Sequence, residues 1–131
     1  MLANDDLGNL GRLGNQMFQY TSLRGLAAKH GYEYCLPPRE VVATRDPNCV
    51  NSDITMFECF TIPDAPKHVT NFPKVMESGF GLCPKLWESC PDNISLYGYF
   101  QTAKYFLHIE DEIRDAFTIV DDFRVPTEEA F

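Results

Sequence analysis

The 131-residue chain is poor in positive charge, with 11 lysines and arginines against 19 aspartates and glutamates. The resulting net charge of −8 disfavours a nucleic-acid backbone or an anionic membrane as the main partner. No apolar run approaches the roughly 20 residues that span a bilayer, and no basic region followed by an apolar one opens the chain. We therefore expect a single-domain cytoplasmic protein, free or peripheral to a membrane, with no transmembrane segment and no signal peptide.

A metal-ligand pattern is also missing. The five cysteines include no C-x-x-C pair, and the three histidines do not lie at zinc-ligand spacing from them. We expect no bound metal and reduced, packed thiols, with a Cys83–Cys90 disulfide as the alternative.

The start of the chain lacks the apolar run of a buried strand. In α/β domains a glycine loop before a helix usually follows a near-continuous Val/Ile/Leu run, but residues 1–10 read M-L-A-N-D-D-L-G-N-L. Asn4, Asp5 and Asp6 are poor strand formers. The sequence therefore predicts no strand before the loop, and a loop that is loosely held.

The stretch at residues 11–20, G-R-L-G-N-Q-M-F-Q-Y, is a glycine-flanked turn leading into a helix. Gly11 and Gly14 permit a tight turn and close approach by another group. The helix N-terminus can receive an anion, and the planar Arg12 guanidinium suits a phosphate. The glycine spacing matches neither the dinucleotide-binding nor the P-loop pattern. In the alternative interpretation the glycines only turn the chain, Asn15 caps the helix and Arg12 pairs with a surface carboxylate.

Periodicity predicts the remaining elements. Residues 13–30 form a helix capped by Gly31, with its core face listed as Met17, Phe18, Tyr20, Leu23, Leu26 and Ala27. Short strands are predicted at residues 32–36 and 94–100, with prolines breaking the region 39–93. Gly98 within the second strand indicates close approach by a ligand or a backbone. A helix capped by Thr102 follows, and its buried stripe comprises Phe106, Ile109, Ile113 and Phe117.

Two alternatives stay open for Trp87: a sugar-stacking platform, or a packed core or lid residue. His30 is predicted to act at the helix C-terminus rather than as a ligand. The acidic residues of the last helix are predicted to form a solvated face.

Residues 11–20 resemble the N-terminal signature of the α-1,2-fucosyltransferases (glycosyltransferase family 11), which reads G-x-L-G-N-Q-x-F-Q-Y. Residues 98–106, G-Y-F-Q-T-A-K-Y-F, resemble the later G-Y-F-Q-x-x-K-Y-F of the same family. The two motifs occur in the right order and at similar spacing, and the resemblance is weakest between Val41 and Cys90.

The resemblance implies a Rossmann-like three-layer α/β domain, similar to the N-terminal half of a GT-B glycosyltransferase. It implies transfer of fucose from GDP-fucose to the 2-hydroxyl of a galactose-containing acceptor, with inversion and without a metal or cofactor. Arg12 then corresponds to the catalytic residue that stabilises the departing diphosphate. Gly11, Gly14, Asn15 and, more weakly, Gln16 correspond to donor-binding residues.

The family's downstream H-x-R-R-x-D motif does not occur in this sequence. We therefore expect residues 1–131 to be one partial N-terminal domain, to lack the nucleotide-binding C-terminal domain, and to be inactive alone. The alternative is a non-catalytic sugar- or nucleotide-binding domain or an inactive remnant. Continuation of the reading frame into H-x-R-R-x-D would favour the enzyme. A Rossmann dehydrogenase is disfavoured by the glycine spacing.

Overall fold

A parallel β-sheet organises the chain. The computed structural model describes residues 1–10, 13–43, 56–79 and 81–118, with strands β1 (Leu2–Ala3), β2 (Lys74–Met76) and β3 (Ile94–Tyr97). Their spatial order is β1–β3–β2. Isolated parallel bridges extend the pairing beyond β1, from Leu2 to Tyr34 and from Leu36 to Lys67. With helices between most of these segments, the α/β class is as the sequence predicted.

Strand β1 corrects the prediction that no strand precedes the glycine loop. Its two residues are buried between β3 and the bridge to Tyr34. Because a strand held on both edges can be very short, two apolar residues suffice where we required a longer run. The segment directly after β1 is held at its start, since the Asp5 N–H donates to Ser95 Oγ at 2.9 Å.

Helix α1 (Leu13–His30) has the predicted bounds. At its end Gly31 has φ of +72°, and the Tyr32 N–H donates to the Ala27 carbonyl at 2.9 Å. This six-to-one bond is the Schellman arrangement, for which glycine is favoured because it adopts positive φ without strain.

The core face of α1 differs from the predicted apolar stripe. Phe18 is 36% exposed and Met17 is half-buried, whereas Gln16, Gln19 and Ser22 are buried. The prediction was wrong for Phe18 because the helix has neighbours on several sides, and part of its buried surface is polar.

Both predicted strands are shorter than expected. Residues 32–36 form only the two bridges, and β3 ends at Tyr97 rather than at Phe100. In β3 Ile94, Ser95 and Leu96 are all buried, because the strand is central in the sheet and is covered on both faces. The strand ends because the residues that follow do not have the negative φ of a strand. The value of φ is +151° at Gly98 and +52° at Phe100.

The proline-rich region contains short elements. These are α2 (Arg39–Ala43), α3 (Met56–Cys59), strand β2 and α4 (Pro84–Ser89). Pro84 lies in the first turn of α4, where its missing N–H removes no helical hydrogen bond.

The segment predicted as one helix up to Phe117 is divided. Two 3₁₀ turns (Ala103–Tyr105 and Leu107–Ile109) precede α5 (Glu110–Ala116). Thr102 caps the first turn as predicted, accepting the Lys104 N–H at 3.4 Å. The buried residues of the segment are Tyr105, Ile113 and Ala116, while Phe106, Ile109 and Phe117 are half-buried.

Cys83 and Cys90 are both free thiols, so the alternative Cys83–Cys90 disulfide is not formed; Cys49 lies outside the described residues. Across the described part of the chain, no helix combines the length and apolar character needed to span a bilayer.

Gly25 and Gly14 provide a matched test of the packing of α1. An alanine Cβ at position 25 would lie 1.9 Å from the Tyr105 carbonyl oxygen, whereas one at position 14 would meet nothing within 4 Å. We expect Gly14→Ala to stabilise the protein by up to about 1 kcal/mol. Gly25→Ala should destabilise it by about 1–3 kcal/mol, because overpacking outweighs helix propensity. Urea unfolding measures both, and equal stabilisation would contradict the packing.

Cys90 predicts a loss of stability at alkaline pH. Burial, with a contribution from the Asp92 carboxylate, raises the pKa of the Cys90 thiol from 9.0 to about 11. Because the raised pKa disfavours the thiolate in the folded state, the associated stability is present below pH 9.0 and is lost as pH rises towards about 11. We expect Cys90→Ala to lose less free energy of unfolding than wild type across this interval. Denaturant melts at a series of pH values measure it, and parallel pH profiles would contradict the assignment.

Candidate functional site

The two sequence motifs meet along α1. Near the start of the helix, Asn15 Oδ1 accepts a hydrogen bond from Gln101 Nε2 at 2.6 Å. About two turns further along, Ser22 Oγ donates to the Phe100 carbonyl at 3.1 Å. The second motif therefore lies against the first, although 86 residues separate Asn15 from Gln101.

The contact continues to the middle of α1. His108 Nε2 lies 2.8 Å from the Gly25 carbonyl oxygen, and Tyr105 packs where a side chain at position 25 would lie. Tyr105 is fully buried, and its hydroxyl accepts the Cys83 N–H at 2.7 Å. This packing fixes residues 98–108 relative to α1, with contacts from Asn15 to Gly25.

The predicted sugar-donor residues take different positions. Gly11 and Arg12 lie outside the described residues. Gly14 is exposed in the first turn of α1, with open space around its Cα. Asn15 is half-buried and bonded to Gln101. Their assignment to a donor site stays a prediction.

Gln16 has a clear structural contact. Its side chain is buried, and its Oε1 accepts the Met56 N–H at 3.3 Å, which joins α1 to the start of α3. Gln19 acts similarly, donating from Nε2 to the Leu10 carbonyl at 2.9 Å and so closing the loop onto the helix. The two glutamines of the signature therefore hold neighbouring segments against α1.

Two buried amide atoms near the loop remain without partners among the described residues. They are Gln19 Oε1, on the side chain that holds Leu10, and Asn4 Nδ2, directly after β1. An unpaired buried polar atom costs about 1–3 kcal/mol. One donor, Asn4 Nδ2, and one acceptor, Gln19 Oε1, therefore remain able to form a hydrogen bond in this region.

Tyr20, the last residue of the signature, is part of the core. Its ring packs edge-on against Tyr34 and Phe117, and its hydroxyl accepts from Arg24 at 3.3 Å. Burial, together with the neighbouring Tyr34, raises the pKa of the Tyr20 hydroxyl. It remains protonated at neutral pH and serves as packing.

Carboxylates at the end of β1 are held by structural partners. Asp5 is buried and accepts from the Thr70 N–H at 2.7 Å and the Thr70 hydroxyl at 2.5 Å. Asp6 pairs with Lys74, whose Nζ lies 2.8 Å from Asp6 Oδ2. This contact raises the pKa of Lys74 through hydrogen bonding and charge attraction. Both carboxylates join β1 to the segment that enters β2.

Glu77 is a site residue that the sequence analysis missed. It follows β2, and its carboxylate accepts the Tyr99 N–H at 2.8 Å and the Phe100 N–H at 3.2 Å. At Gly98 the prediction of close approach by a ligand or a backbone was wrong about the partner: the Glu77 side chain makes the approach, because a Cβ there would lie 2.7 Å from Glu77 Cγ. The glycine indicated that something approaches, but no local pattern identified Glu77.

An apolar groove of about 410 Å³ adjoins the first turns of α1. It extends from Gly14 towards the end of α5. Among the described residues its walls are Met17, Phe18, Thr21, Phe106, Ile113 and Phe117. Phe18, exposed on α1, and Phe106, from the second motif, form part of the same wall with ring centroids 6.4 Å apart.

Trp87 is packed rather than open. Lys29 Nζ lies 4.5 Å from its ring centroid, and Tyr105 and His108 contact it edge-on. These neighbours favour the interpretation of Trp87 as a packing residue. His30, near the same helix end, stacks on Tyr32 and contacts the Leu86 carbonyl at 3.2 Å.

In residues 1–10, 13–43, 56–79 and 81–118, no group of three or more His, Cys, Asp or Glu side chains is arranged to hold a metal ion. Comparisons with protein-family models, curated proteins and solved structures found no match to this chain.

Proposed function

We propose that this chain carries the first part of the donor site of an α-1,2-fucosyltransferase. The reaction would transfer fucose from GDP-fucose to the 2-hydroxyl of a galactoside. The observation that carries the proposal is the Asn15–Gln101 hydrogen bond of 2.6 Å, which joins two motifs that each resemble this family.

The electrostatics of α1 support binding of the diphosphate. The helix has 18 residues and no acidic residue in its first turn, so its positive N-terminal end is not neutralised from within. The N–H groups of its first turn have no partner within the helix and can donate to phosphate oxygens. Arg12 immediately precedes the helix and adds charge-assisted donors. These groups would stabilise the charge that develops on the diphosphate as the glycosidic bond breaks.

The apolar groove beside Gly14 supports a deoxy sugar as the transferred group. Fucose carries a methyl group in place of a hydroxymethyl group, and a wall containing Phe18 and Phe106 offers apolar contact for it. A hydroxymethyl group in the same position would lose hydrogen bonds to water without compensation.

The described residues supply no evident base for the acceptor hydroxyl. The Asp5 and Glu77 carboxylates accept hydrogen bonds from Thr70 and from backbone N–H groups, and are held in structural roles. The H-x-R-R-x-D motif, which the resemblance associates with nucleotide contacts, is absent from these 131 residues. The same features keep a non-catalytic sugar- or nucleotide-binding domain as the second candidate.

We expect the isolated 131-residue chain to bind GDP-fucose weakly, with Kd in the range of about 1 mM or higher. It should release no GDP with lactose as acceptor. One helix end, Arg12 and Asn15 contact only part of the ligand, and solvent screens each contact. Calorimetry and a coupled GDP assay measure both properties. Efficient turnover by this chain would contradict the proposal that these residues form only part of the donor site.

Arg12→Ala tests the role assigned to the loop. In an enzyme that combines this sequence with H-x-R-R-x-D, we expect turnover to fall on the order of a hundredfold, because a transition-state hydrogen-bond donor is lost. The KM for the acceptor should change little. Arg114→Ala is the matched control, since that exposed side chain pairs with Glu110 on α5.

Near-wild-type turnover by Arg12→Ala would make Arg12 a structural residue. GDP-fucose binding without any transfer by the combined protein would instead favour the non-catalytic candidate.

A further inference from the structure

The Glu77 carboxylate bridges the ends of two neighbouring strands. Oε1 accepts the Tyr99 N–H at 2.8 Å, and Oε2 accepts the Phe100 N–H at 3.2 Å. The Glu77 backbone is itself fixed, since its N–H donates to the Tyr97 carbonyl at 3.1 Å. Each carboxylate oxygen therefore holds one of two consecutive N–H groups just beyond β3.

The backbone beyond β3 is shaped around this carboxylate. Gly98 has φ of +151°, and any Cβ at this position would overlap Glu77. Phe100 has φ of +52°, in the left-handed region that side chains disfavour, and its own side chain is fully buried. A strained conformation persists only where the surroundings fix it, and here Glu77 holds the two N–H groups of the turn.

The turn directs the next groups towards α1. The Phe100 carbonyl accepts from Ser22 Oγ at 3.1 Å, and Gln101 Nε2 donates to Asn15 Oδ1 at 2.6 Å. With its oxygen accepting from Gln101, the Asn15 amide is oriented so that Nδ2 is the group left to donate. A continuous set of contacts thus runs from Glu77 through Tyr99–Gln101 to Asn15.

We propose that Glu77 is a positioning residue that, through Gln101, orients the Asn15 amide to donate to the diphosphate of the sugar nucleotide. This inference rests on the proposed function for its ligand. Its structural part, the control of the Asn15 side chain by a carboxylate 62 positions away in the sequence, stands on the geometry alone. Glu77 itself need not touch the ligand.

The test uses Glu77→Gln, which keeps the size of the side chain but replaces one accepting oxygen with an NH₂ group. In ¹⁵N-labelled protein we expect the side-chain amide signals of Asn15 and Gln101 to move. Titration of the same spectra with GDP at millimolar concentrations should show an affinity lower by about tenfold. Glu88→Gln is the matched control, since Glu88 is an exposed carboxylate on α4, and it should change neither readout.

A double variant separates positioning from a general structural effect. If Glu77 acts through Asn15, Glu77→Gln combined with Asn15→Ala should bind GDP no more weakly than Asn15→Ala alone. Gln101→Ala removes the last contact of the set from an exposed position, so it should reproduce the tenfold loss even if Glu77→Gln fails to fold.

Unmoved Asn15 and Gln101 amide signals in Glu77→Gln would overturn the positioning. Additive losses in the double variant, or a Gln101→Ala protein with wild-type affinity, would overturn it as well. If the wild-type protein binds no GDP, the proposed function is contradicted. The diphosphate would then no longer be the group that Asn15 is positioned to bind. The amide signals would then decide the structural part separately.

Discussion

The close approach of α1 to residues 98–108 is the contact on which the rest of this structure depends. It requires glycine at position 25, where the Tyr105 carbonyl occupies the space of a side chain. It is completed by Ser22 bonding the Phe100 carbonyl and by Gln101 bonding Asn15. Through this contact a helix that follows β1 and a segment that follows β3 become neighbours at one end of a parallel sheet. Ligands of open α/β folds bind at that end of the strands.

Polar side chains make the contact specific. Apolar packing alone tolerates shifts in register, whereas buried hydrogen bonds require particular partners. On α1, Gln16 holds the start of α3 and Gln19 holds the loop after β1. Glu77 holds a turn in which Phe100 has a positive φ, a conformation that costs about 1–3 kcal/mol. Several segments are thereby fixed around the first turns of one helix, which is how a site on short, irregular elements can be preorganised.

The sequence predicted the features that local physics determines. The bounds of α1 and its Gly31 cap follow from periodicity and from the conformational freedom of glycine, and both are observed. Strand β1 could not be predicted, because two apolar residues carry no periodic signal and are strand only through their neighbours. The partner of Gly98 could not be predicted either, since Glu77 approaches from the end of a different strand, β2. The contact between Asn15 and Gln101 is also a tertiary contact, so it could not be predicted from the sequence. Each residue nevertheless belongs to a motif that the sequence shows.

We propose that the first turn of α1 holds the diphosphate of a sugar nucleotide. The most direct measurement compares ¹H–¹⁵N spectra of the labelled protein titrated with GDP and with guanosine, which lacks the diphosphate. We expect GDP to shift the signals of Gly14 and Asn15, and that of Gln101 through its bond to Asn15, whereas guanosine should leave these signals in place. Equal shifts with both compounds, or GDP-dependent shifts confined to residues away from the start of α1, would contradict it.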